Sequence, residues 1–135
     1  MERFLKAQEK QYTQALSEIR NGCKQSHWIW YIFPQLAELG RSSTAKYYGI
    51  KDRGEAMDYL SNPVLRARLV EISEALLDND CPAVEILGHT DAMKVRSCMT
   101  LFHIADPSIE VFSKVIDKFY GGQYDKLTLD IIKRG

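Results

Sequence analysis

The segment from residue 24 to residue 35 concentrates aromatic and polar side chains that together could bind a flat, charged small molecule. It contains both tryptophans of the chain, Trp28 and Trp30, with Lys24, His27 and Gln35 around them. The plane of a tryptophan can stack on a purine or nicotinamide ring, a lysine can hold a phosphate, and a glutamine can read an amide or a base edge. These are the parts of a nucleotide pocket.

His27 is the side chain of this segment that is best suited to proton transfer. Imidazole changes its protonation state close to neutral pH, which is why histidine often serves as a general acid or base. We therefore expect His27 to be the catalytic residue if the chain is an enzyme. Whether it is an enzyme stays open, because the sequence has no Gly-x-Ser-x-Gly motif and no cysteine with a recognisable companion histidine.

A second segment with binding chemistry, residues 40–44, comes just before a predicted helix start. It reads Gly-Arg-Ser-Ser-Thr, and backbone N–H groups at a helix start favour an anion. The segment lacks the glycine patterns of a P-loop or a Rossmann fingerprint. We expect Arg41 and Ser42 to form a phosphate-binding site. The alternative is that serine only caps the helix.

A third polar group consists of Lys94 and Ser97, three residues apart on a predicted helix. They lie on a different side of that helix from the apolar stripe of Val95, Met99 and Phe102. Lys94 could meet a ligand phosphate and Ser97 could hydrogen-bond to it, whereas the alternative is a solvated face. The three segments together predict one pocket with these ligand-binding residues: Lys24, Trp28, Trp30, Gln35, Arg41, Ser42, Tyr48, Lys94 and Ser97.

Composition and charge exclude several classes of partner. Lys plus Arg equals Asp plus Glu at 18 each, so no overall field draws the chain to nucleic acid. The longest apolar run, from Trp28 to Phe33, is far shorter than the roughly 20 residues that span a bilayer. The three cysteines, Cys23, Cys81 and Cys98, are far apart, which is typical of free thiols in a reducing compartment. We therefore expect a cytoplasmic protein without nucleic-acid or membrane partners.

The histidines show no metal-binding spacing, since His27, His89 and His103 lie far from one another and from any Cys-x-x-Cys pair. We expect neither a metal site nor a cofactor. The sequence does not indicate the oligomeric state.

The elements that would position these residues are predicted to be short helices. Asn62-Pro63 is a strong start signal, and the apolar spacing after it predicts a helix to about Leu77. Similar periodic stretches end at glycines throughout the chain, and no segment shows strand alternation. The sequence therefore predicts an all-α fold: a single compact domain over residues 1–135, with about seven or eight short helices in irregular orthogonal packing.

These motifs resemble the DUF1810 family of small bacterial proteins over nearly the full length. The resemblance is carried by Arg3-Phe4, the run from Ser26 to Gln35 (Ser-His-Trp-Ile-Trp-Tyr-Ile-Phe-Pro-Gln), Leu39-Gly40-Arg41-Ser42, Tyr48-Gly49-Ile50, Pro63-Val64-Leu65, and Lys94 with Ser97 and residues 99–102. It implies a mainly helical fold and a family without an established activity. Calpastatin-like inhibition is not implied, because calpastatin acts through long disordered repeats and this composition predicts a packed globule.

Two functions follow from these patterns. The first is a ligand-binding domain, with or without enzymatic activity, for a nucleotide or ADP-ribose-like molecule. A faint similarity to the NADAR proteins, small helical domains that process ADP-ribose-type glycosidic compounds, agrees with it. The alternative is a non-enzymatic protein-interaction module in which the aromatic segment is simply core. A pocket requires polar side chains that converge on a cavity, whereas a module requires fully buried rings and an apolar surface patch.

Overall fold

Every regular element of the structure is a helix within residues 1–134, the part of the chain that this computed structural model describes. The nine α-helices are α1 (Glu2–Arg20), α2 (Ile29–Ile32), α3 (Ser43–Tyr47), α4 (Arg53–Ser61), α5 (Pro63–Leu77), α6 (Ala83–Leu87), α7 (His89–Ala105), α8 (Glu110–Tyr120) and α9 (Lys126–Arg134), with a 3-10 turn at Ala37–Leu39. The predicted all-α fold is confirmed. The helix count is slightly above the expected seven or eight, because α2, α3 and α6 each add only about one turn. No helix in this range has the length and apolar character that crossing a membrane requires.

Polar side chains just before α4 and α5 define where these helices begin. Asn62 Oδ1 accepts hydrogen bonds from the N–H groups of the second and third residues of α5, Val64 and Leu65. Pro63 occupies the first position, where an N–H would have no helical partner. Asp52 Oδ1 caps α4 by accepting a hydrogen bond from Glu55 N at 2.9 Å. The start of α5 is the one that the sequence predicts.

Helix α7 lies at the centre of the fold and packs against α4, α6, α8 and α9. Its residues Val95, Cys98, Met99 and Phe102 are completely buried. Short helices are not stable alone in water, so the burial of such stripes against one another stabilises them. The side of α7 that carries Lys94 stays partly exposed.

The connection from Gln35 to Ile50 folds back on itself. Ile50 N donates to Gln35 O at 2.9 Å and Ala37 N donates to Ile50 O at 2.8 Å, which forms one isolated parallel bridge. Gly49 lies against this bridge, where an added Cβ would stand 2.3 Å from the Cα of Ala37. The backbones can approach this closely only because Gly49 has no side chain, and their contact holds residues 37–48 in place.

We expect Gly49→Ala to destabilise the protein by about 2–4 kcal/mol, because the new methyl group meets backbone that cannot move aside. Urea unfolding followed by circular dichroism measures the change. Gly54→Ala is the matched control, because its Cβ would meet only the end of the Asp52 side chain, at 3.3 Å, and the change should stay within about 1 kcal/mol. Equal stability of the two variants would contradict the close approach at Gly49.

Candidate functional site

A cavity of about 500 Å³ lies between one side of α7 and the segment that leads into α3, with the start of α9 at its margin. Its polar lining consists of Gln35, Arg41, Ser42, Thr90, Lys94, Ser97 and Asp125, and its apolar lining includes Leu39, Ala45, Met93 and Leu127. We call this space the main cavity. Its size is within the range of small-molecule sites in proteins.

Five of the residues that the sequence predicts as ligand-binding line the main cavity. They are Gln35, Arg41, Ser42, Lys94 and Ser97. They come from two segments about 50 residues apart in the chain, which the fold brings together. Whether they bind a ligand stays a prediction.

Trp30 and Tyr48 line a narrow recess beside the main cavity, together with Gln35 and Lys94. The recess holds only about 10 Å³, too little for a ring. Lys94 Nζ lies over the Trp30 ring at 5.6 Å from its centroid, a distance at which a cation is attracted to the ring face. Trp30 therefore adjoins the main cavity, and its ring is in contact with the Lys94 ammonium group.

Arg41 and Lys94 form no ion pair with any carboxylate among residues 1–134. The neighbouring hydroxyl groups, those of Ser42 and Ser97, each form one hydrogen bond with the backbone. Ser42 Oγ accepts a hydrogen bond from Ala45 N at 3.1 Å and so caps α3, while Ser97 Oγ donates to Met93 O at 3.2 Å. A hydroxyl group both donates and accepts, so the hydrogen of Ser42 and the lone pairs of Ser97 remain available to a ligand.

Lys24 and Trp28 lie in the interior, away from both cavities. Trp28 has no exposed surface, and its Nε1 donates to Glu18 Oε1 at 2.9 Å. Lys24 Nζ pairs with Asp91 Oδ2 at 2.9 Å and lies 4.8 Å from the Trp28 ring centroid. A ligand ring could reach Trp28 only if the core opened, so the expected contact of these two residues with a ligand does not fit this arrangement.

His27 is exposed and lines neither cavity. Its backbone oxygen accepts a long hydrogen bond of 3.5 Å from the hydroxyl of Tyr31. The structure thus keeps the expected proton carrier apart from the expected phosphate residues. Within residues 1–134, no three histidine, cysteine, aspartate or glutamate side chains gather as a metal site would require.

Sequence reasoning missed Thr90, Met93, Asp125 and Leu127 as lining residues. Asp125 carries a local signal, since Asp followed three residues later by Thr128 is typical of a helix start. Nothing local shows that this helix start meets α7. The hydrogen bond from Asp125 N to Thr100 Oγ1, 2.9 Å long, joins the two elements, as do those from the Arg96 guanidinium to the backbone oxygens of Gln123 and Tyr124.

Glu18, a buried carboxylate in α1, connects that helix to the segment before α2. It accepts hydrogen bonds from the backbone N–H groups of Gln25 and Ser26, the Ser26 hydroxyl, the Trp28 indole and the Gln14 amide, at 2.7–3.1 Å. Burial by itself raises the pKa of Glu18, but the hydrogen bonds from Gln25, Ser26 and Trp28 outweigh burial and lower the pKa to about 2.

Comparisons with known proteins find similarity in both sequence and structure. A family model described as a protein of unknown function, DUF1810, matches residues 1–132. The crystal structure of the conserved hypothetical protein Rv1873 from Mycobacterium tuberculosis superposes with a TM-score of 0.96 at 37% sequence identity, over 98% of this chain and 95% of that chain. None of the curated proteins that were compared matches the chain.

We expect Glu18→Gln to lower the free energy of unfolding near neutral pH by up to about 3 kcal/mol. A glutamine side chain has only one acceptor oxygen, and its NH₂ group would face N–H and O–H groups that also donate. The pKa of Glu18 falls from 4.5 to about 2 on folding. Its stabilisation is therefore complete above about pH 4.5 and is lost as the pH falls towards about 2. Urea unfolding at about pH 7 and about pH 3 should show a smaller loss in the variant than in wild type.

Glu9→Gln, an exposed position of the same helix, is the matched control and should keep the pH dependence of the wild type. If Glu18→Gln loses as much stability on acidification as wild type does, another group is responsible for the acid sensitivity.

Proposed function

Since the chain belongs to the DUF1810 family of proteins of unknown function, we propose a function from the geometry of its main cavity: it binds a phosphate-bearing small molecule, such as a nucleotide or an ADP-ribose-like compound. The proposal is one of binding. It assigns no reaction, because His27, the expected proton carrier, lies outside the cavity.

The observation that carries this proposal is the pair of cations in the main cavity. Arg41 and Lys94 both line it, and neither is neutralised by a carboxylate within residues 1–134. A guanidinium and an ammonium group together match the charge and the hydrogen-bond acceptors of a phosphate. Ser42 and Ser97 add hydroxyl groups that can bond to phosphate oxygens.

The rest of the lining fits the organic part of such a ligand. Leu39, Met93 and Leu127 provide apolar surface against which a ring can pack. Within residues 1–134, only the backbone oxygen of Gln35 accepts a hydrogen bond, so its side-chain amide is not occupied. Small-molecule sites in proteins typically combine such apolar walls with a few polar groups that orient the ligand.

Two exposed free thiols, those of Cys23 and Cys81, support a reducing compartment such as the cytoplasm.

The same cavity also offers support for the second function, a protein-interaction module. Met93 and Leu127 are 59% and 62% exposed, so the edge of the cavity presents two large apolar side chains that a partner could cover. A partner protein could insert an apolar side chain between them. The cations distinguish the two functions, because an apolar partner has no use for Arg41 and Lys94.

We expect at least one of AMP, ATP, NAD and ADP-ribose to bind saturably and to change tryptophan fluorescence, because an anion that draws Lys94 Nζ off the Trp30 ring alters the surroundings of that ring. Lys94→Met and Arg41→Gln should each weaken binding about tenfold or more, as expected for the loss of a charged hydrogen-bond partner. Calorimetry measures the affinity independently of the optical signal.

The two tryptophans provide an internal control for this titration. Trp30→Phe should abolish the fluorescence change, because the remaining tryptophan, Trp28, is buried and does not adjoin the main cavity. Lys10→Met, an exposed lysine on α1, should bind as wild type does. If folded protein gives no calorimetric signal with any of the four compounds, the phosphate-ligand proposal fails and the interaction module is favoured.

A further inference from the structure

Asp125 is the one carboxylate residue that lines the main cavity within residues 1–134, and it is held more firmly than a helix cap requires. Its N–H donates to Thr100 Oγ1 at 2.9 Å, and its Oδ2 accepts from the N–H and the hydroxyl of Thr128 at 3.0 and 2.6 Å. Both threonines are completely buried. The backbone of Asp125 is therefore bonded to α7, and its carboxylate is held in position by the first turn of α9, before a ligand arrives.

The second oxygen of this carboxylate is free for a ligand. Asp125 Oδ1 accepts no hydrogen bond from residues 1–134, and Asp125 pairs with neither Arg41 nor Lys94, although all three line one cavity. An ionised carboxylate oxygen has lone pairs that accept hydrogen bonds. At this partly exposed position, water or a ligand must supply the donors.

The backbone contact of Asp125 and the attachment point of Lys94 lie at different levels along α7. Thr100, to which Asp125 is bonded, follows Lys94 by six residues on α7, which is about 9 Å along the helix axis. A phosphate is attracted to Lys94 and repelled by the Asp125 carboxylate. The group that meets Asp125 must therefore be a different part of the ligand, and it must donate hydrogen bonds.

Building on the proposed phosphate site, we infer that Asp125 binds the hydroxyl groups of a sugar joined to that phosphate. Sugar hydroxyls are uncharged donors, and the sugar ring holds them a short distance from the phosphate to which it is joined. A carboxylate oxygen accepts hydrogen bonds from them more strongly than a neutral acceptor does, because it is charged. The main cavity thus selects ribosyl phosphate compounds over phosphate compounds that lack these hydroxyls. Asp125 is the residue that makes the distinction.

Calorimetry with two pairs of compounds tests this assignment: AMP with its 2′,3′-dideoxy analogue, and ADP-ribose with ADP. The wild-type protein should bind the member with the additional hydroxyl groups about tenfold more tightly in at least one pair. Asp125→Asn should reduce that preference to less than about twofold, because asparagine still caps a helix but has lost the charged acceptor. Asp52→Asn makes the same change at the cap of α4, outside the main cavity, and should keep the wild-type preference.

The outcomes separate this inference from the proposed function. If wild type binds both members of each pair equally while Lys94→Met still weakens binding, the role of Asp125 is overturned and the phosphate site stands. If no member of either pair binds, both fail. Should Asp125→Asn not fold, Asp125→Ser, which keeps a capping oxygen, takes its place; a preference that survives the substitution overturns the role of Asp125.

Discussion

The buried carboxylate of Glu18 is the interaction on which the arrangement around α1 and α2 depends. Taking a charge out of water is costly unless hydrogen bonds replace the water, and here donors from Gln25, Ser26 and Trp28 do so. These bonds fasten the segment before α2 onto α1 and seat the Trp28 indole in the core. Because α2 begins directly after Trp28, the same bonds determine where Trp30 lies beside the main cavity.

Helix α7 connects the hydrogen-bonded contact between α1 and the segment before α2 to the proposed site. Asp91, in its first turn, pairs with Lys24 beside Trp28, and one turn later Lys94 reaches the main cavity. Polar residues remain buried on this helix because Thr100 and its neighbour one turn back, Ser97, donate to carbonyl groups four residues earlier, which satisfies their hydroxyl hydrogens locally. One helix therefore supplies the centre of the core and one wall of the cavity.

The sequence and the structure differ most around residues 27 to 34. The sequence predicted that His27 and Trp28 contribute to the same ligand pocket. The structure has only one turn of helix there, from Ile29 to Ile32, and Trp28 precedes it with φ of −138°, outside the helical region. His27 and Trp28 both precede this turn and share no helical face. The indole of Trp28 is directed inward because it donates to Glu18 on α1, a contact that no local pattern could reveal.

By itself the sequence determined the helices and the types of residue available for binding. Caps such as Asn62, glycine ends and apolar periodicity act over a few residues, because they depend on hydrogen bonds and packing within one or two turns. Only the tertiary structure decided which polar groups share a cavity. Arg41, Lys94 and Asp125 come from three separate segments, and their meeting depends on the close approach at Gly49 and on the hydrogen bond between Asp125 and Thr100. Such contacts between distant parts of the chain exist only once the core has formed, because burial of the core is what brings those segments together.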